Sequence, residues 1–319
     1  MLARFVRLAL ALEMAAYAAL GAWLHARGLS LAAVVVLALI VATGMRLGFV
    51  IATLLLAGAF APRPPAAERI GALAWSCLAA GEFRAVLLNN FLYLPFEPWV
   101  TPREPEPRRA ETIPVVLVHG YFSSRGYFEP LLGFLEARGV APVFAPNFPG
   151  FLATIEGFTA ELAAHIERVV EATGQPRVVL VCHSMGGIAA RLYLAEHGAE
   201  RVASLVTIAS PHAGTLLARL APGANARQME RGSAFLAALA AREAGRAPCD
   251  ATSIYSPHDN LVWPHETSRL AWARNVALPG LGHVSILAAP SLHRILLDVI
   301  QRARTGATRG YSSASTSSA

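Results

Sequence analysis

One run of aliphatic residues that stops on a serine and restarts as a helix constrains this chain more than any other stretch. Val178-Val179-Leu180-Val181 has the unbroken apolar character of a strand buried on both faces. Cys182-His183-Ser184-Met185-Gly186-Gly187 follows, and Ile188 to Leu194 carries apolar residues at helical spacing. A strand that passes so abruptly into a helix must turn sharply, with Ser184 at the apex in a strained backbone conformation. The helix N-terminus then aims free N–H groups and a positive dipole at the same point, which suits a nucleophile and a developing negative charge.

This pattern resembles the nucleophile elbow G-x-S-x-G of the α/β-hydrolase family, with Cys182 standing where the family has its first glycine. Cysteine is small enough for the crowded position. Further motifs extend the resemblance. Ile113 to Val118 reads as a strand running into His119-Gly120-Tyr121-Phe122, similar to the family loop that supplies a backbone N–H to an oxyanion hole. The resemblance assigns the two donors to the amides of Tyr121 and Met185, and leaves His119 as a brace within the loop. Ser210-Pro211-His212-Ala213-Gly214-Thr215 resembles a stretch found after the next strand in many lipases, with His212 read as a loop brace.

The family order places an acid and then a histidine after the serine. The chain has three aspartates, Asp250, Asp259 and Asp298. Asp250 precedes the strand Ala251 to Ser256 and Asp259 follows it, and sites in parallel sheets lie at the carboxyl ends of strands. Asp298 falls in a C-terminal helix. Asp259 is therefore the expected acid. The base must lie beyond one more strand, Asn275 to Leu278, where Pro279-Gly280-Leu281-Gly282-His283 provides it. His293 sits within a helical pattern, and His258 and His265 flank the acid. The resemblance thus implies a Ser184-His283-Asp259 triad and no metal or cofactor.

Strands alternate with helical patterns from 113 to 303, which predicts a mostly parallel sheet with helices on both faces. Residues 216–247, Ala- and Leu-rich, are expected to cap the site, as a lid or as an ordinary surface helix pair. The 304–319 tail, rich in Ser and Ala, is expected to be disordered.

The hydrophobic fraction of 55% and charged fraction of 15% are skewed by the first 60 residues. Phe5 to Leu24 contains one acid, Glu13, and Leu29 to Phe60 one base, Arg46. Each is long enough to approach the ~20 residues of a membrane span. We expect a two-helix anchor over 1–60, its second span at about 30–51 with Arg46 snorkelling to the interface. A cleaved signal peptide is the alternative for the first stretch. Arg4, Arg7, Arg63 and Arg69 flank the pair and place both ends, with the domain that follows, in the cytoplasm. Residues 61–112 read as an amphipathic segment, on the membrane or on the domain, and then a Pro-rich linker.

The net charge of +6 comes from scattered arginines and argues against a nucleic-acid role. Cys77, Cys182 and Cys249 are too far apart for a metal motif or disulfide framework. Together these features lead to an α/β-hydrolase fold behind transmembrane helices, acting on hydrophobic or lipid esters at a membrane. Transfer of the acyl group to an alcohol, or a silent membrane scaffold, remain as alternatives. The sequence carries no sign of oligomeric state.

Overall fold

The computed structural model describes residues 2–306 apart from 102, 103, 107 and 149–151. Two long helices, α1 (Leu2–Ala26) and α2 (Leu31–Phe60), open the chain as a hairpin, and both are long and apolar enough to cross a membrane. Gly28 adopts a positive φ in the link, and the Ser30 hydroxyl accepts from the Ala33 amide to start α2. At ~1.5 Å per residue the 30 residues of α2 extend about 45 Å, well beyond a ~30 Å hydrocarbon core. The excess is used against the rest of the protein. Val50 packs with Val86 and Val284, Thr53 is buried, and the Phe60 ring stacks on Trp263 at 6.1 Å.

Arg46 departs from its expected snorkelling. Its guanidinium grips Glu13 of α1 through two hydrogen bonds, Nη1 to Oε1 at 2.5 Å and Nη2 to Oε2 at 2.7 Å. An acid and a base on facing apolar helices satisfy each other at lower cost than either bends to reach water.

The following segment packs on the α/β part. It forms α3 (Ala72–Leu88), a π-helical turn (Asn89–Tyr93) and the short α4 (Glu97–Val100). Glu97 is buried against Arg125 at 3.0 Å and also accepts from Asn147. The segment's acids Glu82 and Glu97 and its apolar Leu78, Val86 and Leu94 are spent on protein contacts, whereas Leu73 and Trp99 stay exposed.

The α/β part contains β1 (Val115–Val118), α5 (Glu129–Ala137), β2 (Val143–Phe144), α6 (Ile155–Thr173), β3 (Val178–His183), α7 (Met185–His197) and β4 (Val202–Ile208). It continues through α8 (Ala224–Gln228), α9 (Ala234–Glu243), β5 (Asp250–Tyr255), β6 (Arg274–Ala277) and α10 (Pro290–Thr305). All six strands are parallel, in the order β2-β1-β3-β4-β5-β6. The alternation of side chains along a strand divides the core. Val116, Val118, Leu180 and Cys182 face the layer of α6 and α7, while Val115, Leu117, Val179 and Val181 face α5 and α10. This two-sided burial is why β1 and β3 contain no polar residue before their last position.

Within 216–247, α9 is fastened to α7 by a buried, multiply bonded pair, Arg191 with Glu243, at 2.6 Å. Tyr121 Oη donates to Pro222 O at 2.8 Å and ties the start of this segment to the β1 loop. Helix α10 includes Arg304 and Thr305, which the sequence placed in the tail. The remaining tail, 307–319, lies outside the described residues.

Candidate active site

Every residue expected at the site lies at the carboxyl edge of the sheet. Val118 pairs with Cys182, so the loops leaving β1 and β3 run side by side. Ser184 has φ 55° and ψ −126°, a conformation unfavourable for any residue with a β-carbon. Phe122 and Ala209, beyond β1 and β4, are the other non-glycine residues with positive φ among those described. The backbone strain is thus concentrated around one edge of the sheet.

A β-carbon on Gly120 would lie 2.7 Å from Ser184 Cβ, 2.9 Å from His183 O and 3.1 Å from Met185 N. Gly120→Ala is therefore expected to force the two loops apart. A cost of about 1–3 kcal/mol, typical of overpacking, should appear as a lower melting temperature. Close approach also brings the loop of Gly120 against the amide of Met185. Met185 occupies the first position of α7, where a backbone N–H has no intrahelical acceptor.

His283 and Asp259 are in contact: Nδ1 and Oδ2 are 2.9 Å apart and both residues are buried. The other carboxylate oxygen, Oδ1, accepts from the amides of Leu261 and Val262, each at 2.8 Å, which fixes the acid. An ionised carboxylate only accepts, so Nδ1 carries the proton and Nε2 is left as a base. Burial pushes the His283 imidazole down, but the charge and hydrogen bond of Asp259, with a smaller pull from Glu82, leave it above the ordinary histidine value.

Among the hydrogen bonds of the described residues, none joins Ser184 Oγ to His283 Nε2. The neighbour His183 makes the link: its Nε2 lies 3.1 Å from His283 O, and the two rings are 4.8 Å apart. A carbonyl oxygen can only accept, so His183 carries its proton on Nε2. Full burial holds it well below the usual range and keeps it neutral.

The competing residues are engaged elsewhere. His119 Nε2 accepts from the Phe148 amide at 3.1 Å, and burial pushes its pKa down to about 4. His212 Nε2 meets Thr207 Oγ1 at 2.9 Å, and that hydroxyl donates onward to Ser253. His293 Nε2 donates to Leu287 O from within α10, and Asp298 pairs with Arg302 on the same helix. Asp250 begins β5, at the opposite edge of the sheet. The described residues include no cluster of His, Cys, Asp and Glu suited to hold a metal.

Two residues in contact with the His283 loop, and a third that holds one of them, escaped the reading of the sequence. Glu82 of α3 accepts from the amides of Val284 at 3.0 Å and Ser285 at 2.8 Å. Asn260 accepts from the His283 amide at 3.0 Å and donates to Thr53 Oγ1 of α2 at 2.9 Å. The only available signal was that Glu82 is the sole acid between Glu68 and Glu97, within an apolar helix.

Residues 113–276 match the family described as the α/β hydrolase fold, and the chain belongs to that family. It is 34% identical over 114 residues to triacylglycerol lipases of Pseudarthrobacter phenanthrenivorans and Burkholderia plantarii, a match covering 33% of this chain and 35% and 31% of theirs. It is 30% identical over 131 residues to the lysosomal thioesterase PPT2 of Rattus norvegicus, covering 39% of this chain and 42% of that one. The matched stretch thus spans between about a third and two fifths of these curated relatives. Solved structures that share the fold include two lipases. Bacillus licheniformis lipase BlEst2 in its mature form has a TM-score of 0.52 and 18% identity, covering 63% of this chain and 96% of that chain. Aspergillus fumigatus lipase B has a TM-score of 0.53 and 19% identity, covering 63% and 55%.

Proposed function

We propose that this protein is a membrane-anchored serine hydrolase that cleaves hydrophobic carboxylic esters, lipid esters among them. The observation that carries the reading is the buried Asp259–His283 pair beside a serine held at φ 55°. Ser184 Oγ attacks the acyl carbonyl while His283 Nε2 takes its proton. The amides of Tyr121 and Met185 stabilise the resulting oxyanion. His283 then returns the proton to the leaving alcohol, and a water activated by the same nitrogen releases the acyl group. The lipase relatives favour ester substrates, and the thioesterase relatives make acyl thioesters the second class to try.

The hairpin supports the hydrophobic preference. Phe5 of α1 meets Phe122 edge-on at 5.9 Å, and Thr53 and Phe60 of α2 touch Asn260 and Trp263. The loops at the carboxyl edge of the sheet therefore abut the proposed anchor, within reach of ester substrates dissolved in a bilayer. The flanking arginines orient the hairpin with both ends and the α/β part in the cytoplasm.

Hydrolysis of p-nitrophenyl esters of graded chain length, with fluorophosphonate labelling of Ser184, tests the reading. Activity rising with chain length is expected. No turnover and no labelling would favour a scaffold, and transfer to an added alcohol would favour an acyltransferase.

The pH profile provides a further check. The base must be neutral, so kcat/KM should fall on acidification, with the limb above the ordinary histidine value. Asp259→Asn would turn an N–H toward Nδ1 and drive the ring proton to Nε2. We expect a loss of about two to four orders of magnitude in kcat and a limb moved to lower pH. A profile unchanged by the substitution would remove Asp259 from the mechanism.

A further inference from the structure

We propose that Glu82 is a positioning residue for His283: from α3, its carboxylate clamps the loop that follows the base and keeps the imidazole aimed at Ser184. The inference rests on the hydrolase reading above.

Three consecutive amides of this loop each donate to a buried side-chain acceptor supplied from outside it. His283 N donates to Asn260 Oδ1 at 3.0 Å, Val284 N to Glu82 Oε1 at 3.0 Å and Ser285 N to Glu82 Oε2 at 2.8 Å. Asn260 is itself held by Thr53 Oγ1. The loop carries the base without support from a strand or a long helix, so these bonds fix its path. A β-carbon at residue 282 would fall within 2.3 Å of Glu82 Oε2, so glycine there admits the carboxylate. Val50, Val86 and Val284 close the contact on its apolar side.

Glu82 is fully buried and forms no ion pair among the described residues, a costly arrangement for packing alone. Burial raises its pKa, opposed by the Ser285 and Val284 amides and by His283. The charged and titratable groups facing His283 are Asp259 beyond β5, His183 at the end of β3 and Glu82 on α3; the Tyr127 ring lies tilted against His183 at 6.4 Å. Both carboxylate oxygens accept amide N–H groups, a pattern that favours the ionised form, so Glu82 acts on the base in two ways, through the loop backbone and through its charge.

The test uses the full chain in detergent micelles, with Glu82→Ala and the isosteric Glu82→Gln. Readouts are kcat and KM on a p-nitrophenyl ester, the pH profile, the His283 titration by NMR, and hydrogen exchange at the Val284 and Ser285 amides. In Glu82→Ala, kcat should fall about 10- to 100-fold with KM within about twofold, as misplacement of a reacting group predicts. Glu82→Gln should recover part of kcat, and its acid limb and His283 titration should move to lower pH. A purely structural glutamate would not move the titration. Should Glu82→Ala fail to fold, Glu82→Gln carries the test. Wild-type kcat and an unshifted titration in folded Glu82→Gln would overturn the inference. A wild type inactive on every ester, with the titration still shifted by Glu82→Gln, would keep the clamp and sink the hydrolase reading.

Discussion

Replacing Ser184 with alanine should lower kcat for ester hydrolysis by at least about a thousandfold, the scale on which loss of a nucleophile leaves only binding and oxyanion stabilisation. The fold should survive, because Ser184 is only partly buried and, among the described residues, its hydroxyl holds no buried partner in place. Its amide still donates to Ile208 O at 2.8 Å. Alanine inherits the positive φ, so the strain stays in place. Glycine would relieve it. Ser184→Gly is therefore expected to be as inactive as Ser184→Ala but to melt at a higher temperature. A serine kept where glycine is more comfortable would mark stability given up for chemistry. Turnover retained in both variants would sink Ser184 as the nucleophile, and an unaltered melting temperature in Ser184→Gly would remove the strain argument.

The parts of this architecture that could be read from the chain are those with local signatures. The apolar runs of β1 and β3 announce strands buried on both faces, and the switch to helical spacing at Met185 marks the turn. Asp259 could be told from Asp250 because a parallel sheet has a chemically distinct carboxyl edge. What stayed hidden depends on contacts between distant residues. Glu82 meets Ser285 across 203 positions and Thr53 meets Asn260 across 207, and neither pair has a periodicity that would reveal it. The same applies to residues 72–100. Their apolar and acidic groups do not disclose whether a bilayer or a protein surface covers them. Arg46 was legible as a lone charge in a long apolar run, but its partner on the other helix was not. Its partner decides whether it bends toward water or stays between the helices.

That pair gives the second large effect. Arg46 and Glu13 join α1 to α2 with their side chains largely covered, Tyr17 Oη donates to Glu13 Oε1 at 2.6 Å, and the Phe91 ring lies under the guanidinium at 4.6 Å. Removing one member leaves the other as an uncompensated charge among apolar helices, which typically costs about 3–5 kcal/mol. Arg46→Met and Glu13→Leu should each deplete the protein from the membrane fraction and lower its melting temperature in detergent. The double variant, which removes both charges, should recover most of the loss, since an apolar pair of similar volume commonly replaces a buried ion pair without penalty. This non-additivity is the diagnostic result. Two single losses that add in the double variant would mean that each residue acts alone, Arg46 through Phe91 or the interface. The outcome also bears on the active site. The hairpin held by this pair presents Phe5 to Phe122 and Thr53 to Asn260, so a loosened hairpin should reach the Ser184 and His283 loops as a loss of kcat in the single variants. Activity that returns with the melting temperature in the double variant would mean that the hairpin acts on the site through its packing, with the charges serving to hold that packing together.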